Sequence, residues 1–143
     1  MEWRIKRYEE LTLDELYEIC HKRIEVFVCE QHFLCQELDL FDKTCFHVFA
    51  LFHGKMIAYC RVFQNEKGEW FIGRVLVVQP NRKTGLGLLL MQKAVAHVRS
   101  QNENKSIYLH SQCQARPFYE KCGFHAIGDI FDEEGCPHIL MVN

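Results

Sequence analysis

The stretch from Trp70 to Arg99 constrains the fold of this chain more than any other. An almost wholly apolar run, Trp70 to Val78, leads into Arg82-Lys83-Thr84-Gly85-Leu86-Gly87, and from Leu86 the chain is dense in Leu and Met. The first run reads as a strand buried on both faces and the last as an amphipathic helix. Between them, Gly85 and Gly87 remove side chains where a backbone must approach a ligand, and both permit positive φ. Successive amide N–H groups opening a helix point into one small volume. With the helix dipole they form an anion site suited to a pyrophosphate. Arg82 and Lys83 set formal positive charge beside it. The spacing is neither G-x-x-x-x-G-K-[ST] nor G-x-G-x-x-G, so it supports neither nucleoside-triphosphate chemistry nor a dinucleotide fold.

The rest of the chain reads as a mixed α/β sheet. Trp3 to Arg7 alternates as a first strand, and Thr12 with Glu15 forms a capping box. Leu13, Leu16, Tyr17, Cys20, Ile24, Phe27 and Val28 then predict one helix of about four turns. Phe46–Phe52 and Met56–Phe63 pair across a turn at His53-Gly54-Lys55. Ser106–Gln112 is a further strand. Ala115–Cys122 is a short helix with Pro117 in its first turn and Gly123 as its stop. Phe124–Phe131 and His138–Val142 close the chain around Asp132-Glu133-Glu134-Gly135. At 143 residues, this order predicts a single domain, 1–143.

Composition excludes several function classes. No apolar run approaches the roughly 18 residues that span a bilayer, and the N-terminus lacks a signal-peptide pattern, so no membrane role is expected. Net charge is −2, and basic residues do not interleave with aromatics on any element, so nucleic acid is not an expected partner. The eight Cys form no C-x-x-C pair and read as reduced thiols of a cytoplasmic protein. With no H-E-x-x-H or H-x-H either, no metal is expected.

Val75-Leu76-Val77, Arg82-x-x-Gly85-x-Gly87 and Leu89-Leu90-Met91 together resemble the acyl-CoA signature of the GNAT superfamily of N-acetyltransferases. Phe118-Tyr119-Glu120-Lys121-Cys122-Gly123-Phe124 resembles that superfamily's F-Y-x-x-x-G-F element. Arg23 to Gln31, Ile72 to Val75, Tyr108-Leu109 with Gln112, and Glu134 to His138 are similar to its ElaA-like branch. Two departures stand out: Lys83 replaces the usual Gly, and Pro80 sits one place closer to Arg82 than usual. The resemblance implies a sheet of about seven strands with helices on both faces. Its central strands splay so that pantetheine of acetyl-CoA lies between Val75–Val77 and Tyr108–Gln112. The amides of Lys83, Thr84, Gly85, Leu86, Gly87 and Leu88 would hold the pyrophosphate, and backbone groups of Leu76 and Val77 the pantetheine amides.

Acyl transfer to an amine needs a neutral nucleophile, a stabilised oxyanion and a protonated leaving thiolate. Tyr119, carried over from the superfamily's matching Tyr, is the candidate acid. A phenol near 10 can serve a thiolate near 8.5 at modest cost. His110 shares a strand face with Gln112 and is a candidate base, with His47, His138 and Glu30 as rivals. A backbone amide of Val75–Val77 is the oxyanion candidate. Arg23, Phe27, Glu30, Glu37, Asp39, Asp42 and Arg61 form a second constellation, able to attract a cationic amine or to pair internally. The resemblance implies a small-molecule or protein amine as acceptor, and the sequence does not identify it further. Two other readings remain: an acyl-homoserine-lactone-synthase-like acyltransferase, and a non-catalytic acyl-CoA sensor. The sequence carries no signal for oligomeric state.

Overall fold

The computed structural model describes residues 1–102 and 104–143, which build a seven-stranded sheet of order β1-β2-β3-β4-β5-β7-β6. The strands are β1 (Glu2–Arg7), β2 (Phe46–Phe52), β3 (Lys55–Gln64), β4 (Trp70–Val77), β5 (Ile107–Gln112), β6 (His125–Glu133) and β7 (Cys136–Val142). Helices α1 (Leu13–Arg23), α2 (Leu86–Gln101) and α3 (Arg116–Lys121) interleave with them in the predicted order. The core centres on β2 and β3, where Val48, Phe49, Ala58, Tyr59, Cys60 and Val62 are wholly buried under α1 and α2. Both hairpin turns place two residues at positive φ, His53-Gly54 and Glu134-Gly135, which suits the right-handed twist of the flanking strands. The chain therefore turns at two residues where three and four were predicted. Lys55 and Glu133 belong to strands.

Two irregularities shape the interior. In β4, Gly73 pairs with Arg61 and Leu76 with Tyr59, so Arg74 and Val75 face the single residue Cys60. This is a β-bulge, and it bends its strand. Arg74 adopts φ 52° there. β4 and β5, the parallel neighbours, pair only at Trp70–Ile107 and Phe71–Tyr108. Beyond that point the two strands part.

The second irregularity corrects the predicted single helix. The α-helix ends at Arg23, and Ile24–Glu30 widens into a π-helix in which Gln31 N–H donates to Val26 C=O at 3.1 Å. Apolar spacing does not distinguish the two, because both can keep Arg23, Val26 and Phe27 turned inward. The wider turn sets Phe27 against the core at the mouth of the parted strands.

Candidate active site

The turn between β4 and α2 is built around two left-handed residues, Lys83 at φ 63° and Gly85 at φ 84°. The expected positive φ at Gly87 is not found; Gly87 lies in the first turn of α2. The strain falls on Lys83 instead, where a side chain makes it costly. Among the described residues, none of the amides from Lys83 to Leu88 donates a hydrogen bond to a protein acceptor. Six consecutive N–H groups are therefore free at a helix N-terminus. Thr84 Oγ1 donates back to Asn81 C=O at 2.6 Å and closes the preceding turn. Arg82 does not lie idle: Nε donates to Val77 C=O at 2.8 Å and Nη2 pairs with Glu30 at 2.7 Å. Val77 C=O is thus already engaged, and Glu30 serves Arg82 outside the cavity.

A cavity of about 790 Å³ opens where β4 and β5 part. Val75, Leu109, His110, Gln112, Tyr119 and Phe27 are among its walls. Tyr119 stands on α3, edge-on to Phe118 at 5.1 Å between ring centroids. Burial pushes its hydroxyl well above the ordinary phenol range, so the group stays protonated at neutral pH. His110 Nδ1 lies 2.9 Å from Glu133 Oε1, so Nδ1–H donates to the carboxylate, and in the neutral ring the lone pair is on Nε2. The hydrogen bond from His110, assisted by the nearby His138 and Arg74, draws the Glu133 carboxyl below its usual range. Gln112 Nε2 donates to Gln31 Oε1 at 3.1 Å and ties β5 to the end of the π-turn.

The rival bases occupy different surroundings. His47 is completely buried: Nε2–H donates to Asp42 C=O at 2.9 Å and Nδ1 accepts from the Tyr59 hydroxyl at 2.7 Å. Burial holds its basicity down, and it has no nitrogen left for a substrate. His138 lines the cavity with Nδ1 2.8 Å from Cys136 C=O and Nε2 3.4 Å from Glu133 Oε2. Cys45 Sγ lies 3.5 Å from His47 Nε2, but burial pushes the thiol to about 12. That Cys–His contact therefore makes no nucleophile.

The second constellation is an ion network. Arg23, 0% exposed, pairs with Asp42 at 2.5 Å and Glu37 at 3.0 Å. Arg61 grips Asp39 at 2.6 Å and Asp42 at 3.0 Å, and Arg74 reaches Glu37 at 2.7 Å. Asp39 and Asp42 are held below the usual carboxylate range by these guanidinium groups against the opposing effect of burial. Asp39 and Arg61 line the cavity, whereas Arg23 sits behind it. Sequence reasoning missed Arg74 and Glu133 as members of the site. The Glu133–His110 contact depends on the register of β6, β7 and β5, which no local pattern carries.

A cleft between diverging parallel strands, with an amide-lined turn leading into a helix, defines the class of acyl-CoA-type N-acyltransferase folds. Residues 14–143 match the acetyltransferase (GNAT) domain family, and the chain belongs to it. A UPF0039 protein of Schizosaccharomyces pombe is 35% identical over 143 residues, spanning 99% of this chain and 95% of that protein. Protein ElaA of Escherichia coli is 30% identical over 145 residues with the same coverage, and its crystal structure superposes with a TM-score of 0.92. The crystal structure of an acyl-CoA N-acyltransferase from Pseudomonas aeruginosa also gives 0.92, at 34% identity over 99% of this chain and 97% of that one. A CoA-dependent acyl-homoserine lactone synthase reaches 0.78 over 96% of this chain and 80% of its own, but at 18% identity it shares the fold alone.

Proposed function

We propose that this protein transfers an acyl group, acetyl in the simplest case, from acetyl-CoA directly to a primary amine. The observation that carries this reading is the run of six unpaired amides from Lys83 to Leu88 at the end of a parted-strand cleft. Unsatisfied N–H groups at a helix N-terminus favour a multiply charged anion, and a pyrophosphate fits that donor set. The bound thioester supplies the activated acyl group. The chain's own residues manage protons. His110 Nε2, its ring oriented by Glu133, takes the ammonium proton. The Tyr119 hydroxyl donates a hydrogen bond to the departing thiolate; burial raises its pKa, so full proton transfer costs more than from a free phenol. An imidazole–carboxylate pair in the same cavity as Tyr119 favours turnover over a sensor role.

Calorimetric titration with acetyl-CoA, followed by a thiol-release assay with pooled primary amines, tests this function. Binding with amine-dependent thiol release and a mass-detected N-acetyl product is the expected result. Binding without release would leave an acyl-CoA sensor, and absence of binding would remove the reading. Consumption of S-adenosylmethionine with an acyl thioester would replace it by the lactone-synthase activity.

A further inference from the structure

Resting on the acyltransferase reading, we infer that the acceptor is a monoamine on an aromatic or bulky apolar body, with no carboxylate and no second cationic centre. Two independent features of the cavity lead there. The first is its wall of rings. Phe41 meets Phe63 at 4.4 Å between centroids, Phe63 stacks with Phe71 at 5.8 Å, and Phe71 meets His110 edge-on at 5.5 Å. From His110 the succession continues through Phe131 at 5.1 Å to His138 at 6.0 Å, and His138 faces Phe33 at 6.3 Å. Phe41, Phe63, Phe71, His110, His138 and Phe33 line the cavity from the ion network past the candidate base, with Phe131 packed behind the two imidazoles. Such a wall offers π faces and apolar area, and few hydrogen-bonding groups for a hydroxyl-rich acceptor.

The second feature is the placement of charge. Arg23, Arg61 and Arg74 stand against Glu37, Asp39 and Asp42, so the network sums to 3 − 3 = 0. Each guanidinium faces a carboxylate of the network; the Nε atoms of Arg23 and Arg61 lack a hydrogen-bond partner but are buried. Its carboxylates are equally committed, and Arg61 additionally lies over the rings of Phe41 and Phe63 at 5.8 and 5.4 Å. Apart from its imidazoles, the remaining ionisable groups on the cavity wall are the neighbouring pair Glu133 and Glu134. One negative locus beside the base, facing an aromatic wall, suits one ammonium with an apolar remainder. A polyamine would carry its second cation away from Glu133 and Glu134, towards network carboxylates that guanidinium groups already match. An amino acid would bring its own carboxylate beside Glu133 and Glu134.

The experiment compares phenethylamine, phenylalanine, spermidine and a short peptide with a free N-terminus in the thiol-release assay at saturating acetyl-CoA. Phenethylamine is expected to exceed spermidine in kcat/KM by about tenfold or more, on the scale of apolar-pocket discrimination. It should exceed phenylalanine by about a hundredfold, since the two differ by one like-charged group at the site. Phe63→Leu, remote from the base, should raise KM for phenethylamine several-fold with kcat nearly unchanged. If spermidine, phenylalanine or the peptide is preferred, the acceptor class is wrong while the acyltransferase reading stands. If acetyl-CoA binds and no amine releases thiol, both fall.

Discussion

The Cβ that Gly87 lacks would lie 3.1 Å from Phe118 Cζ and 3.2 Å from Phe118 Cε1. This glycine is therefore a packing requirement that joins α2 to α3, the helix carrying Tyr119, and its role differs from that of Gly85. Gly87→Ala gains about 1 kcal/mol of helix propensity and loses about 1–3 kcal/mol to overpacking, so a small net destabilisation is expected. Urea unfolding of Gly87→Ala, Phe118→Leu and the double variant checks it. The two changes should compensate by about 1 kcal/mol, because the smaller residue makes room for the added methyl.

Gly85 behaves oppositely. Its absent Cβ would meet nothing within 4 Å, and its φ of +84° is the constraint. Gly85→Ala should cost about 1 kcal/mol of stability from the left-handed conformation alone and keep acetyl-CoA binding. Gly85→Asp places a carboxylate among the six free amides and should weaken binding by more than tenfold in a calorimetric titration. Equal affinities for the two variants would remove the pyrophosphate assignment from this turn.

These two glycines show what the sequence carries and where it stops. The apolar runs, the turn glycines and the F-Y element were enough to order strands and helices, because each rests on local periodicity or on backbone freedom. What Gly87 touches was not legible, since Phe118 lies 31 residues away and arrives by the docking of α3. Glu133 sat in an acidic run that reads as a turn; only the register of β6, β7 and β5 carries it to His110. The widened turn after Arg23 was hidden because the inward face of a π-helix and that of an α-helix share the same apolar residues. The ion network was visible as residue types, and the sequence left its two uses open.

Arg23 is the buried hub of that network. Removing it leaves Asp42 to Arg61 alone and Glu37 to Arg74 alone, and breaking a buried pair costs about 3–5 kcal/mol. Arg23→Ala should therefore lower the unfolding midpoint severely, while Arg23→Met, which refills the volume, should lose less. Asp42 titrates below its ordinary 3.8 in the folded chain, so its support is complete above that value and is lost as pH falls further. The acid-unfolding curve of the native protein should carry this step, and that of a folded Arg23→Met variant should show it weakened.

Tyr119→Phe removes one oxygen and keeps the ring contacts with Phe118 and Phe124. Acetyl-CoA affinity is expected to stay within about twofold, while kcat for thiol release falls by about 10–100-fold, the scale of one lost proton donor. Unchanged turnover would take Tyr119 out of the chemistry and leave it as a packing residue of α3.

Glu133→Gln isolates the contribution of charge to the imidazole pair. The amide can still accept from His110 Nδ1–H through its oxygen, so ring orientation survives. What disappears is the negative charge 2.9 Å from the ring. Charge attraction for the acceptor ammonium weakens, so KM for the amine should rise while acetyl-CoA affinity is unchanged. A fall in kcat with the amine KM fixed would mean that the Glu133 charge does not attract the acceptor. An unchanged variant would show that the Glu133 charge contributes nothing beyond ring orientation. Glu133→Ala, which removes orientation and charge together, should lose about tenfold more in kcat than Glu133→Gln if the carboxylate positions the ring as well as charging it.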